Sequence, residues 1–351
     1  MKSIHILHHS SLPLHRHTKE HDFLHYKGLH WLYARAVRRF NPELEVECWR
    51  PECALDRPYT WQDDVGITHR VFPSRFVRFN FEMSLGLLHA VRTLSARRQD
   101  CIWIHGIYNL HAYLFAFMLR GVPVIAQSHG GYPARGMFEK SGRKLLRSLY
   151  LVLHAVEKRT LPQYPHIFAL SAEEKSLMRS HLGIAENRIS VSPSGIDFNQ
   201  FSLGNRSLAR TRCHLADDDE IVLYVGRLAP EKGIEYLLDA FSIVSQERKK
   251  CRLFILGDGP LEKKLRQQAI SLGVDRRTNF VGYVQETDLP DWYRSANLTV
   301  IPSPLDWFPK VGMESMACGT PIIASAFGGS LDMVREYECG VLVSPRDPVS
   351  L

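Results

Sequence analysis

Two groups of charged residues in the second half of this chain have the types and spacing to act on a phosphate or a sugar. Arg227 and Lys232 both lie in Gly226–Gly233 (GRLAPEKG), directly after the apolar run Ile221–Val225. With a strand before this loop and a helix after it, two fixed cations would stand beside a helix N-terminus, a suitable seat for a diphosphate. The same pair could equally be surface loop charges. Asp306 and Glu314 are separated by seven residues, between the apolar run Leu298–Ile301 and the helix-like Gly312–Ala317 (GMESMA). That arrangement expects Asp306 in a loop and Glu314 in the first turns of a helix, facing the same way. Two carboxylates so placed can accept hydrogen bonds from the vicinal hydroxyls of a sugar or ribose. The alternative is that Glu314 only supports the helix N-terminus through its dipole. A third turn, Gly257–Leu261 (GDGPL), has the same design. It is no dinucleotide fingerprint, because G-x-G-x-x-G would need glycine at Glu262, and no Walker loop occurs. Read alone, Gly257 and Gly259 make a tight strand-to-helix connection.

These loops need strands and helices to hold them, and the sequence supplies an alternation. Ser3–Leu7 reads as a first strand, followed by a His-rich loop and a helix from about Tyr26 to Phe40. Val46–Cys48 and Thr68–Val71 are short strands, Asn80–Ser95 is helical, and Cys101–His105 is a strand. Leu110–Leu119 is helical, and the strand Pro123–Ala126 leads into His129-Gly130-Gly131. A basic helix over Phe138–Thr160, the strand Ile167–Leu170, the helix Ala172–His181 and the strand Ile189–Val191 continue the rhythm. A second series begins at Ile221–Val225 and runs through Leu253–Leu256, Phe280–Val281, Leu298–Ile301, Ile322–Ala324 and Val341–Val343. Apolar rather than alternating strands, interleaved with helices, predict an α/β fold of doubly wound parallel sheets. Ser192–Arg206 breaks the rhythm with Pro, Gly, Asn and Ser and reads as a linker. The expected domains are therefore 1–200 and 201–351, consistent with 351 residues.

Charge divides the same way. Residues 1–200 hold 26 Lys/Arg and 17 Asp/Glu, whereas 201–351 hold 18 and 20. The seven cysteines are scattered, odd in number and without a C-x-x-C pair, which argues against a disulfide framework and for a reducing, cytoplasmic setting. The longest apolar runs, Ala112–Leu119 and Leu149–Leu153, are far short of a bilayer span. Eight histidines fall within the first 30 residues, at 5, 8, 9, 15, 17, 21, 25 and 30, a spacing that matches no zinc signature. A loop lining an acceptor cleft, or plain surface histidine, is the preferred reading, and no metal is expected. Arg135–Arg159 carries seven Lys/Arg with Leu145, Leu146, Leu149, Val152, Leu153 and Val156 at helical spacing. It reads either as an interfacial helix on the anionic cytoplasmic face of a membrane or as a helix packed on its own sheet. Nucleic acid is excluded as a partner, since no groove-reading motif or aromatic platform accompanies the basic surface.

Val225–Phe241, Leu253–Leu261, Phe280–Val284, Asp306–Glu314, Glu314–Ser325 and Gly328–Val334 occur in this order, after HGG at His129–Gly131, Ala169–Met178 and Ile189–Phe201. Together they resemble glycosyltransferase family 4, the retaining enzymes of the GT-B fold, over about residues 101–347. The resemblance implies two Rossmann-like domains facing across a cleft. It also implies a nucleotide-diphosphate sugar as donor, a glycan or lipid-linked acceptor, and no cofactor. Arg227 and Lys232 match the residues that grip the diphosphate, and Glu314 matches the carboxylate that holds the ribose hydroxyls. Asp306 takes the place of the first glutamate of E-x(7)-E, and His129 matches a histidine facing the transferred sugar. Gly282, Tyr283 and Val284 would border the base. Gly257, Gly259, Phe308, Pro309, Lys310 and Gly130 complete the candidate binding set.

Departures bear on specificity. Asp306 is one methylene short of the usual glutamate, and Pro309 stands where many members have glycine, removing a backbone N–H. Leu331-Asp332 replaces a common Pro-Glu, and His8-His9-Ser10-Ser11 replaces a Gly-rich acceptor loop. These read as changes in sugar and acceptor preference. A nucleotide-sugar epimerase on the same fold and an inactive sugar-nucleotide-binding protein are the alternatives. Family members normally continue beyond the strand matching Val341–Val343, so a truncated second domain is expected.

Overall fold

The computed structural model describes residues 2–7, 29–53, 55–77, 81–95, 100–130 and 144–351. The expected loop histidines His8, His9, His15, His17, His21 and His25 lie outside these residues, as do Ser10, Ser11 and the first part of the basic stretch Arg135–Arg159. The chain divides into two units, one of Met1–Leu170 with Lys175–Ser192 and one of Ser171–Glu174 with Pro193–Leu351. The main division falls at Ser192/Pro193 rather than at 200/201. Its cause is packing: the Ser192 N–H closes the first sheet on the Ala169 carbonyl at 2.8 Å, whereas Phe201 is buried against Tyr293 of the second unit.

The first unit contains β1 (Lys2–Leu7), β2 (Glu45–Glu52), β3 (Tyr59–Gln62), β4 (Thr68–Pro73), β5 (Arg75–Val77), β6 (Phe81–Met83), β7 (Cys101–His105), β8 (Val124–Gln127), β9 (His166–Ala169) and β10 (Ile189–Val191). Its helices are α1 (Leu29–Phe40), α2 (Leu85–Ser95), α3 (Leu110–Met118), α4 (Lys144–Thr160) and, from Lys175 on, α5 (Ala172–Leu182). The main sheet runs β10-β9-β8-β7-β1-β2-β4-β3, parallel except for β3 on β4, and its order reverses between β1 and β7. One face is apolar as expected: Ile4, Ile6, Ile102, Ile104, Val124 and Ala126 share a core with Leu87, Val91 and Phe115 of α2 and α3. Asn109 caps α3, its side chain accepting the Ala112 N–H at 2.9 Å.

The other face differs from the expected all-apolar strands. Residues alternate across a strand, so Ser3 and His5 of β1 and Trp103 and His105 of β7 project together, with Gln127 of β8 beside them. Tyr33 of α1 packs on this polar and aromatic face, with its ring centroid 5.1 Å from that of His105. His5 and His30 are therefore core residues, not the surface or loop histidines expected from sequence.

In the second unit β11 (Glu220–Val225), β12 (Cys251–Leu256), β13 (Thr278–Gly282), β14 (Leu298–Ile301), β15 (Ile322–Ser325) and β16 (Gly340–Val343) form one parallel sheet. Its helices are α6 (Arg206–Arg212), α7 (Ile234–Glu247), α8 (Glu262–Ser271), α9 (Leu289–Ser295), α10 (Lys310–Ala317) and α11 (Gly329–Tyr337). The strand order β13-β12-β11-β14-β15-β16 reverses between β11 and β14. In such a sheet the crevice for ligands opens at the carboxyl ends of the two strands flanking the reversal. The loops after β11 and β14 are those carrying Arg227, Lys232 and Asp306. Helix α6 begins at Arg206, the last residue of the expected linker. It is held by buried Arg210, which donates to the carbonyls of Ser295, Ala216 and Asp219 at 3.0, 3.0 and 2.9 Å.

Candidate functional site

Three strand-to-helix loops pack together at the carboxyl edge of the second sheet, and two glycines explain how closely. Gly257, at φ +117°, lies under the loop after β11; a Cβ there would meet the Gly226 carbonyl oxygen at 2.1 Å. Its own N–H donates to the Gly282 carbonyl at 2.7 Å, tying in the end of β13. Gly233, at φ +68°, would bring a Cβ within 2.4 Å of the Pro302 carbonyl in the loop after β14. Only glycine permits both the positive φ and the approach. The Leu228 N–H donates to Asp258 O at 2.7 Å and the Leu261 N–H to Leu228 O at 3.0 Å, so the turn that holds Gly259 is stitched to the Arg227 loop.

The charges meet on this frame. Lys232 Nζ donates to Asp306 Oδ2 at 2.6 Å, joining the loops after β11 and β14. Arg227 is mostly exposed and pairs with Glu231. The buried Tyr224 hydroxyl donates to the Arg227 carbonyl at 3.1 Å, which fixes the backbone beneath that guanidinium. Burial, and after it Asp306, pushes the Tyr224 phenol up, so it stays a protonated donor.

Glu314 occupies the second turn of α10 and is only 4% exposed. Its Oε2 accepts from the fully buried Tyr293 hydroxyl of α9 at 2.7 Å, and Lys310 Nζ stands 3.3 Å from its Oε1. Burial, reinforced by Glu314, raises the Tyr293 phenol well above its usual range. Burial alone would lower the Lys310 ammonium, but Glu314 and then Glu286, 3.2 Å away, outweigh it and raise its pKa. Glu314 is thus a positioned carboxylate with defined partners, more than a charge near a helix end. Pro309 is the residue before α10, in an extended conformation at φ −73°. Trp307 and Phe308 are buried, and Gly329 at the start of α11 donates to the Trp307 carbonyl at 2.8 Å. Phe308 therefore anchors the loop in the protein interior. Tyr283 is exposed, whereas Val284 is half-buried on the cluster that contains Tyr293.

His129 and Gly130 belong to the first unit, just beyond β8, at the carboxyl edge of that sheet. Gly130 has φ +82°, and its N–H donates to Ser128 Oγ at 3.4 Å. His129 Nε2 is hydrogen-bonded to His105 Nδ1 at 2.9 Å.

The second unit thus holds Arg227, Lys232, Asp306, Glu314, Lys310, Pro309, Gly257, Gly259 and Gly282 on its strand ends, its strand-to-helix loops and the helix starts that follow them. Sequence reasoning missed Glu231, Glu286 and Tyr293, the partners of Arg227, Lys310 and Glu314, and His105, the partner of His129. Of these, only Glu231 lay in a loop singled out for its chemistry, and His105 ended an expected strand.

The model described as Glycosyltransferase Family 4 matches residues 34–200, and that of Glycosyl transferases group 1 matches 207–351. The chain belongs to glycosyltransferase family 4. D-inositol 3-phosphate glycosyltransferase of Geodermatophilus obscurus is 32% identical over 203 residues, 55% of this family 4 chain and 45% of that protein. The chain spans about half the length of the curated relatives it matches. Sucrose-phosphate synthase from Thermosynechococcus elongatus covers all of this chain with 88% of its own, at TM-score 0.74 and 21% identity. Anabaena HepE, solved with UDP and glucose, gives TM-score 0.68 at 20% identity, over 100% of this chain and 87% of that one. The fold is GT-B, with two Rossmann-like parallel-sheet domains of eight and six strands.

Proposed function

We propose that this family 4 chain is a retaining glycosyltransferase that moves a sugar from a nucleotide-diphosphate sugar to a glycan or lipid-linked acceptor. The observation that carries this reading is the Lys232–Asp306 pair, which spans the strand-order reversal beside the Arg227 loop and the Glu314–Tyr293–Lys310 network. Breaking the anomeric C–O bond leaves negative charge on the departing diphosphate. Arg227 and Lys232 stabilise that charge more in the transition state than in the ground state, the difference that lowers a barrier. Each cation already faces a carboxylate, Glu231 or Asp306. A diphosphate must therefore compete with these partners, and its two negative charges let it do so. Glu314, held by Tyr293 and Lys310, takes the ribose hydroxyls, and the shorter Asp306 meets the donor sugar while orienting Lys232.

Side-chain cations supply the charge that a metal would otherwise bring, so the reaction is proposed to be metal-independent and to need no cofactor beyond the nucleotide sugar. For retention, the acceptor oxygen bonds to the anomeric carbon on the face that the diphosphate leaves, and the acceptor proton passes to the leaving phosphate oxygen. His129 faces the transferred sugar. Likeness to a protein solved with UDP and glucose supports a nucleotide-sugar donor. The setting proposed is the cytoplasm, with docking on an anionic membrane through α4. Leu151 and Val152 are exposed on that helix, about two turns before Lys158 and Arg159. Among the described residues, no helix is long and apolar enough to cross a membrane.

The test is a donor screen that reads nucleotide release, followed by the mass and anomeric configuration of the product. Transfer with retained configuration supports the reading. A free nucleotide sugar of altered stereochemistry would instead identify an epimerase, and binding without release an inactive binder.

A further inference from the structure

The polar face of the first sheet holds a line of ring-to-ring hydrogen bonds that the proposed chemistry does not yet use. Ser3 Oγ lies 3.1 Å from His5 Nε2, His5 Nδ1 lies 3.0 Å from His105 Nε2, and His105 Nδ1 lies 2.9 Å from His129 Nε2. Strand register produces the line. In the parallel ladder Leu7 pairs with His105, and His105 with Gln127. Ser3 to His5 is a step along β1. His5 to His105 and His105 to His129 are then diagonals, each crossing to the next strand and moving two residues toward the carboxyl edge. Ser3, His5 and His105 share one face because the pleat repeats every two residues, and His129, just past the end of β8, continues their line.

The rings meet edge to edge. Their centroids stand 5.3 and 5.1 Å apart, with 21° and 22° between planes. The N···N distances of 3.0 and 2.9 Å account for those separations only when both nitrogens lie near the line of centres. The hydrogen bonds therefore run close to the ring planes, along the lone pairs. The nitrogens point at one another in pairs, and among the described residues no three His, Cys, Asp or Glu converge as metal ligands. His5 and His105 are fully buried, with Trp103 and Tyr33 against the line.

A neutral imidazole has one N–H and one bare nitrogen, so in such a line each ring's tautomer dictates the next. Only two arrangements satisfy every bond. In one, Ser3 donates to His5 and each ring donates outward from Nδ1, making His129 Nε2 an acceptor and leaving its proton on Nδ1. In the other, every bond is reversed. With Nε2 committed to His105, any further bond from His129 goes through Nδ1, and whether that atom donates or accepts follows from the direction in which the whole line runs. Burial keeps the inner end neutral: it lowers His5 from 6.5 to about 3.

We infer that Ser3, His5 and His105 form a tautomer relay that positions His129, coupling to the rings behind it whether His129 Nδ1, the nitrogen left for the sugar, carries a proton or a lone pair. This rests on the proposed reading that His129 faces the transferred sugar. His5 and His105 are positioning residues that act only through His129.

The relay is read directly by nitrogen spectra of the full chain carrying 15N-labelled histidine, with His129 assigned by the signals lost in His129→Gln. Wild type is expected to show His129 in one tautomer. His5→Leu leaves His105 in place, and His105→Asn keeps one polar contact to His129 while breaking that to His5. Both are expected to turn the His129 signals into an average of two tautomers. Ser3→Ala, which removes only a hydroxyl, is the route least disruptive to the core and must move the same signals in the same sense. Turnover is measured with whichever of UDP-glucose, UDP-galactose, UDP-N-acetylglucosamine or GDP-mannose releases most nucleotide. The expected effect of His5→Leu is a roughly tenfold lower kcat with donor KM within about twofold, since a misoriented group costs rate more than binding. His129 signals unmoved in every folded variant overturn the relay. Signals that move while kcat does not overturn instead the assignment of His129 to the sugar.

Discussion

Lys232 and Asp306 are 74 residues apart in sequence and 2.6 Å apart in the fold. Both were visible as candidates because charged residues in loops after apolar runs are exposed to ligands, but their pairing depends on which strands become neighbours. Glu314 shows the same limit. Its spacing from Asp306 marked it, yet nothing in the sequence marked Tyr293 as the buried donor that holds it. Removing that donor leaves one oxygen of a buried carboxylate unsatisfied, at a cost of about 1–3 kcal/mol. Tyr293→Phe is therefore expected to lower the urea midpoint and weaken nucleotide binding by roughly tenfold, measured by calorimetry with UDP or GDP. His5 predicts a pH effect. Its pKa falls from 6.5 in the unfolded chain to about 3 in the native state, so the unfolded chain binds more protons between those values. Its contribution to stability is whole above the unfolded value and declines as pH falls toward 3. At pH 5 the loss relative to pH 7 is about 2 kcal/mol, and His5→Gln is expected to flatten the pH dependence of the urea midpoint.

Strands and helices were more legible than contacts. Runs such as Ile221–Val225 and Ile322–Ala324 are apolar because parallel strands are covered on both faces, and each lies in a strand. The exceptions have physical causes. β1 and β7 alternate because one face packs against α1 through histidine and aromatic rings, so their chemistry was hidden within strands taken as apolar. The hairpin β5–β6 is too short to signal itself, and α6 depends on Arg210 reaching carbonyls of another segment. For the basic helix α4, Val156 packs on the first core and Glu157 accepts from the buried Tyr113 hydroxyl at 2.9 Å, whereas Leu151 and Val152 face outward. Loop packing gives a paired prediction. Gly257→Ala places a methyl into the Gly226 carbonyl and is expected to destabilise the second unit by about 3 kcal/mol. Gly282→Ala has open space but φ +86°, so its cost is about 1 kcal/mol. Urea midpoints of the two variants measure the difference, and equal losses would remove the close-approach argument.

The two halves of the sequence carry different charge. Residues 1–200 have an excess of nine positive charges (26 against 17), and 201–351 an excess of two negative ones (18 against 20). The half 201–351 is near neutral, and it sets Arg227 and Lys232 together in the loop after β11 at the strand-order reversal, a placement suited to a diphosphate. The basic first unit predicts association with anionic vesicles that weakens with salt and is lost in Lys144→Glu with Arg147→Glu, measured by co-sedimentation. Fold and family were readable because ordered motifs recur at strand ends. The donor, the acceptor and the histidine line were not, because they depend on side-chain geometry across strands. The most direct measurement is the rate of nucleotide release from a panel of UDP- and GDP-sugars by the wild type, Arg227→Ala and Lys232→Ala. If these cations stabilise the leaving diphosphate, the wild type releases nucleotide from one donor, with each variant slower by about 100-fold. Release by both variants at the wild-type rate contradicts that role.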